Sequence, residues 1–426
     1  MSLVTARAEL RALRLGVGKR FGSVAAGSWK AQRSSPSNGK SPPLPPAWVV
    51  RRLLGLREMW GRGYTRMVPP EIVPLENSFR LILNKSMMVA VELGIADQLE
   101  EGPRTAEELA SIVGANPDAL DRLLAFLVSA GLLGRSTDGR YKNNAVSNTL
   151  RISHPRSPRD WILFAGADWV WDAWNQLGHS VRTGESGMVK AHGMPFFEYV
   201  SSSNPAAGTA FTRALAFYSR LQGPLVAAKY DFSAVNRLCD VGGGSGTLLA
   251  EVLKAHPNVN GVLFEDPAVL AAAKENLATQ GLADRCEFVG GNFLESVPTG
   301  CDHYMLQLVL HDWSDDLCAT ILRNVKSAMP RDGKILVIVG VLEENGRDPW
   351  TLRASDLLML VLTGSGRERT RDEFVALFQR TGFRLARDVT LPSLAHVFEL
   401  VPVDQPPRGR ASNRTLITPE APGRHN

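Results

Sequence analysis

Hydrophobic positions follow two rhythms along this chain. From Pro74 to Leu133 they recur at helical spacing, as in SFRLILNKSMMVAVELGIADQL and NPDALDRLLAFLVSAGLL. Thr105 followed by Glu108 makes a capping box for a short helix that Gly114 closes. Asn116 and Pro117 open a second helix, expected over Asp118–Leu133. GRSTDGRYKN then supplies a turn between two short strands. Helix, turn, helix and hairpin make a winged-helix pattern. The second helix carries Asp118, Asp121 and Arg122 and no basic reading face, so a structural or dimerising role is expected over DNA docking.

Residues 155–225 keep the helical rhythm and add aromatic rings. Trp161, Phe164, Trp169, Trp171 and Trp174 fall within fourteen residues. Most of these rings are expected in a core. Such a density of rings also suits a pocket for a flat organic molecule.

From residue 237 the second rhythm takes over. Apolar runs at RLCDV (237–241), GVLFE (261–265), CEFVG (286–290), HYMLQLVL (303–310) and KILVIVGVL (334–342) alternate with helical stretches. Continuous apolar strands separated by helices predict a parallel sheet covered on both faces. GFRLARDVT and AHVFELVPV predict a final antiparallel hairpin.

Charge changes the picture at the ends. The 426 residues carry a formal +5, of which the first 50 carry +7 and residues 404–426 carry +2, leaving −4 for residues 51–403. The body is mildly acidic, which argues against a general polyanion-binding role. Residues 1–66 read as a basic, disordered or organelle-targeting extension with a Pro-rich linker at its end, and 404–426 as a disordered tail. The four cysteines form no CxxC pair and are expected as reduced thiols in a cytoplasmic protein. No run is long enough to span a bilayer.

The candidate chemistry sits at the ends of the predicted strands. LCDVGGGSG places Gly242, Gly244 and Gly246 after a strand and before a helix, a loop that lets backbone approach a ligand. A dinucleotide fingerprint needs glycine at 247, and Thr247 stands there. Glu265, ending the second strand, is placed to take both hydroxyls of a ribose. Asn292 and Phe293 end the third strand, within reach of an adenine edge and face. The pattern points to the adenosine of S-adenosylmethionine rather than to NAD. His311 ends the fourth run, at the sheet edge where open α/β sheets bind ligands. It is read as a general base. No metal site is expected, and Asp315 and Asp316 suit the start of the next helix.

Taken together, DVGGGSG, FEDP, GGNF, VLHDWSDD and GRERTRDEFVALFQRTGF resemble the plant-type small-molecule O-methyltransferases, which include caffeic acid and hydroxyindole O-methyltransferases and many bacterial enzymes. The resemblance covers residues 72–403. It implies a Rossmann-like class I methyltransferase sheet of α/β class, with an N-terminal helical, winged-helix-like domain that intertwines into a homodimer. The implied organisation is dimerisation over 67–155, a helical substrate-pocket connector over 156–230, and S-adenosylmethionine binding over 231–403. The resemblance assigns Ser219, Gly242, Gly244, Glu265, Asn292, Phe293 and Gln307 to the cofactor, with Tyr218 facing donor or substrate. It makes His311 the base and Glu368 the carboxylate that orients it. A second orienting carboxylate of the plant enzymes falls at Gly340, and Glu343 lies three residues later.

The expected function is methyl transfer to a hydroxyl of an aromatic, phenolic small molecule, with neither nucleic acid nor membrane as partner. One rival keeps the cofactor for hydroxylation or decarboxylation. The other is a winged-helix regulator that senses a ligand.

Overall fold

The computed structural model describes residues 47–343, 348–393 and 395–403. Residues 1–46 and 404–426, and with them most of the expected extension and all of the expected tail, lie outside the described residues.

Residues 47–66 depart from the expected disordered extension. They form helix α1, Ala47–Met67. Its start follows Pro45 and Pro46, and apolar residues such as Leu53, Leu56 and Trp60 recur at helical spacing. Helices α2 (Ile72–Glu92), α3 (Ile95–Gln98), α4 (Ala106–Val113) and α5 (Pro117–Ser129) follow. The capping box at α4 forms in both directions: Glu108 N–H donates to Thr105 Oγ1, and Thr105 N–H donates to the Glu108 carboxylate. Asn116 caps α5 through the Ala119 N–H at 3.0 Å. That helix ends four residues earlier than expected, because Gly131 turns the chain at φ +75°. Strands β1 (Gly134–Arg135) and β2 (Tyr141–Lys142) then pair antiparallel. Leu109, Leu120, Leu124 and Tyr141 form the core of this N-terminal unit.

Helices α6 (Arg159–Gly166), α7 (Asp168–Trp174), α8 (Leu177–Thr183), α9 (Gly187–His192) and the long α10 (Pro205–Lys229) carry the aromatic segment. The final part alternates β3 (Arg237–Val241), α11 (Thr247–Ala255), β4 (Asn260–Glu265), α12 (Leu270–Thr279), β5 (Cys286–Gly290) and β6 (His303–Gln307). It continues with α13 (Asp315–Ala328), β7 (Lys334–Gly340), α14 (Trp350–Leu362), α15 (Arg371–Arg380), β8 (Phe383–Thr390) and β9 (Ala395–Pro402). The seven-stranded sheet has the order β5-β4-β3-β6-β7-β9-β8. β5, β4, β3, β6 and β7 are parallel, and β9 and β8 close one edge antiparallel.

Burial explains the continuous apolar runs. Along β7, Ile335, Val337 and Val339 face one layer with α13 and α15, while Leu336 and Ile338 face the other with α11 and α12. Each face needs its own apolar residues, so the alternation of a half-exposed strand disappears. No helix among the described residues is long and apolar enough to cross a membrane.

β6 is shorter than its apolar run. Leu308 takes φ +54°, unusual for a residue with a Cβ, and the chain then enters a 3₁₀ turn over Leu310–Asp312. His311 therefore sits in a tight turn beyond the strand, not at the strand's tip.

Candidate active site

The carboxyl ends of β3, β4 and β6 meet at one edge of the sheet, as the topology of a parallel sheet requires. The glycine loop follows β3. Gly242 sits at φ +69°, and a Cβ there would press on Val309 and Phe293 at 3.1 and 3.4 Å. Gly244, at φ +55°, faces open space where a Cβ would stand. Beside it the Glu265 carboxylate accepts the Gly244 N–H at 2.8 Å and the Asp266 N–H at 2.7 Å. Burial pushes this carboxyl above its ordinary range despite both donors. Each oxygen keeps lone-pair capacity for one more donor. An open glycine crest beside a two-oxygen acceptor fits a nucleoside with a ribose diol.

Asn292 and Phe293 follow β5. The Asn292 side chain accepts the Leu294 N–H at 2.9 Å and donates to Glu295 at 3.2 Å, so it caps its own turn. Phe293 packs beside Gly242 and edge-on to Trp313, with ring centroids 5.8 Å apart. Ser219 on α10 donates to Gln307 at the end of β6 at 2.8 Å, and Gln307 donates to Gln222 at 2.9 Å. This relay ties α10 to the sheet edge. Gln222 was not among the expected site residues. One helical turn beyond Tyr218, it is buried and also lines the neighbouring cavity.

That cavity has a volume of about 1160 Å³. Trp161, Phe164, Phe196, Phe211 and Tyr218 line it, and His311, Asp312 and Glu368 lie at its polar side. Trp161 and Tyr218 meet edge-to-face at 5.0 Å. Burial first, then the charge of Glu368, pushes the Tyr218 hydroxyl up to about 12, which keeps it a donor at neutral pH. Trp169 and Trp174 instead pack in the aromatic core, and Trp171 lies under Lys85 at 4.7 Å. The aromatic segment thus splits between core and cavity.

His311 is 7% exposed. Its Nδ1 lies 3.0 Å from Glu368 Oε1, and its Nε2 lies 3.5 Å from Asp312 Oδ1. Burial alone pulls the imidazole pKa down. Asp312 and Glu368 together outweigh burial and raise it to about 9. Asp312 is in turn pushed up to about 6, chiefly by burial. Glu368 is lowered: burial opposes ionisation, but His311 and Ser355 overcome it. Ser355 Oγ donates to Glu368 Oε1 at 2.7 Å, and the Glu368 N–H donates to Asp356 at 2.9 Å. A buried imidazole backed by a fixed carboxylate is able to take and hold a proton.

Asp312, Ser355 and Arg369 are additions to the expected set. Arg369, 1% exposed, donates to the carbonyls of Leu310 and Trp313 at 2.8 Å each and grips Asp315 at 2.7 and 2.9 Å. It clamps the turn that carries His311 and Asp312. The doublet Asp315–Asp316 does open α13, as expected, with Ser314 as its cap. Replacing Arg369 by methionine leaves the two carbonyls with only the weak thiol donor of Cys318, at 3.0 and 3.5 Å, an expected loss of about 1–3 kcal/mol of stability. The midpoint of urea unfolding checks this.

At Gly340 a Cβ would stand 2.6 Å from Leu352 Cδ1 and 3.8 Å from Glu368 Oε2. Leu352 thus fills the space beside Gly340. Glu368 Oε2 is buried without a partner among the described residues.

Comparison with known proteins agrees with this architecture. An O-methyltransferase domain matches residues 174–384, and an O-methyltransferase dimerisation domain matches residues 75–153. The mitomycin biosynthesis 6-O-methyltransferase of Streptomyces lavendulae is 43% identical over 309 residues, covering 72% of this chain and 86% of that protein. The phenazine O-methyltransferase PhzM of Lysobacter antibioticus is 38% identical, covering 75% and 93%. The crystal structure of human N-acetylserotonin methyltransferase in complex with S-adenosylmethionine superposes with a TM-score of 0.73 at 27% identity, covering 79% and 99%. The chain belongs to the O-methyltransferase family, and it is a methyltransferase that uses S-adenosylmethionine.

Proposed function

We propose that this enzyme methylates a hydroxyl of an aromatic, phenolic small molecule, with His311 as general base. The observation that carries this reading is the 3.0 Å pairing of His311 Nδ1 with Glu368 at the polar side of an aromatic-lined cavity. The relatives with aromatic acceptors in their names, such as the phenazine O-methyltransferase, support it.

Bound S-adenosylmethionine supplies an electrophilic methyl on a sulfonium. In this reading Glu265 accepts the ribose hydroxyls, Gly242 and Gly244 leave room for the nucleoside, and Asn292 and Phe293 take the adenine. Ser219 and Gln307 hold the end nearer the cavity. The rings of Trp161 and Phe211, which line the cavity, orient the acceptor, which contributes much of the rate through positioning. His311 in its neutral form takes the hydroxyl proton at Nε2. Glu368, fixed by Ser355 and Asp356, keeps Nδ1 protonated and the ring oriented.

Replacing Glu265 by alanine removes two charge-assisted contacts and is expected to weaken cofactor affinity by about 10–100-fold. Turnover at saturating cofactor stays near that of the unaltered enzyme. Calorimetric titration with S-adenosylhomocysteine, paired with kcat, checks both halves.

The assembly we propose is a homodimer. Leu75, Phe79 and Ile82 lie exposed on one face of α2, inside the region that matches the dimerisation domain. Light scattering is expected to give twice the mass of one chain, and a monomer mass at micromolar concentration contradicts it.

A further inference from the structure

A second carboxylate-backed histidine lines the same cavity. His396, near the start of β9, faces it together with Arg371. His396 Nδ1 lies 2.7 Å from Asp388 Oδ1, and the other oxygen of Asp388 accepts Arg371 Nε at 3.1 Å. Phe398 packs against the imidazole with centroids 5.6 Å apart. The ring is therefore fixed on two sides, by an ion-paired carboxylate and by an aromatic face. None of the fold's hydrogen bonds among the described residues uses its Nε2.

The position follows from the topology. β9 runs antiparallel to β7, and His396 pairs with Val339, one residue before the end of β7. It thus stands at the sheet edge where the parallel strands end, and where His311 follows β6. β7 lies between β6 and β9, so the two strand lines are roughly 10 Å apart. An acceptor that touches both histidines therefore has to reach across the end of β7.

From this arrangement we infer that His396 forms a second acceptor subsite, which binds a hydroxyl at the end of the aromatic acceptor remote from His311. With Nδ1 donating to Asp388, Nε2 is the nitrogen left for a ligand. It accepts from an O–H when the ring is neutral and donates to the oxygen when the ring is charged. A hydroxyl satisfies both states, whereas a methyl or hydrogen at that place leaves the nitrogen dry and unpaired. His396 contacts the acceptor but takes no part in proton transfer at the methylated oxygen. This inference rests on the aromatic-acceptor reading above and specifies the acceptor as one with hydroxyls at both ends.

The test is a binding measurement on the full chain with S-adenosylhomocysteine present, read by quenching of tryptophan fluorescence. Three pairs serve as probes: hydroquinone with phenol, 1,5-dihydroxynaphthalene with 1-naphthol, and 2,6-dihydroxyanthracene with 2-hydroxyanthracene. At least one diol is expected to bind about tenfold more tightly than its monohydroxy partner. His396→Leu is expected to bring that ratio to within about twofold of unity, with the monohydroxy compound binding as before. His396→Asn, which keeps a hydrogen-bonding group, restores part of the ratio. The inference is overturned if no diol outbinds its partner. It is equally overturned if His396→Leu leaves the ratio intact or weakens both members alike. Should His396→Leu fail to fold by circular dichroism, Asp388→Asn, which releases the ring, must lower the same ratio. Methylation of the panel is scored separately. A His396-dependent ratio without any methyl transfer sinks the phenol-methylation reading and leaves the subsite standing.

Discussion

Replacing His311 by alanine is expected to lower acceptor methylation by about 10²–10⁴-fold, the usual contribution of a positioned general base. Cofactor affinity stays close to that of the unaltered enzyme, because Glu265 ends β4 and hydrogen-bonds to Gly244 and Asp266, not to His311 or its turn. The loss falls on kcat more than on KM, since the aromatic lining that holds the acceptor is untouched. Steady-state kinetics with calorimetric cofactor binding separates these quantities. Unchanged turnover removes His311 from the chemistry. A matching loss of cofactor affinity makes it a structural residue.

The second large effect concerns Glu368. The His311 pKa is raised to about 9, because Asp312 and Glu368 together outweigh the burial that favours the neutral ring. The base form therefore appears as pH rises, and kcat/KM is expected to climb along a limb well above the 6.5 of an ordinary histidine. Glu368→Gln removes one of the charges that raise this pKa. The sign follows: imidazolium becomes easier to deprotonate, and the limb moves to lower pH. Glu368→Ala also removes the charge-assisted hydrogen bond at 3.0 Å, and the plateau rate falls by about 10–100-fold. A pH profile of kcat/KM for both variants is the check. A limb that stays in place, or moves upward, shows that Glu368 does not control the protonation of His311.

The features legible in the sequence are those fixed by local rules. β3 falls on RLCDV because a strand buried on both faces must be apolar throughout, whereas β5 on CEFVG is the edge strand and keeps Glu287 exposed. The caps at Thr105 and Asn116 follow from side chains that reach backbone three residues away. Glu368 beside His311 came from the resemblance, 57 residues along the chain, and the structure gives the pair its distance. Asp312 was not legible as a partner of His311, because neighbours on a strand point to opposite faces. The positive φ of Leu308 and the 3₁₀ turn break that alternation and turn both side chains toward one another. Ser355, Gln222, Arg369 and His396 left no sequence signal. Each acts through a partner on another segment, 8 to 85 residues along the chain, so its role exists only once α10, α14, the turn before α15 and the β8–β9 hairpin have packed. Gly340 was legible as a departure, and its consequence was not: a leucine from α14 occupies the space.

The proposed reaction passes a methyl group from S-adenosylmethionine to an aromatic hydroxyl. The most direct measurement supplies S-adenosylmethionine labelled with ¹³C at the methyl, together with a panel of phenols and polycyclic diols. Carbon and proton NMR then locate the label. An aryl methyl ether is expected, formed in step with S-adenosylhomocysteine and lost in His311→Ala. Label found only on nitrogen or carbon, or an acceptor hydroxylated or decarboxylated without taking up label, contradicts it.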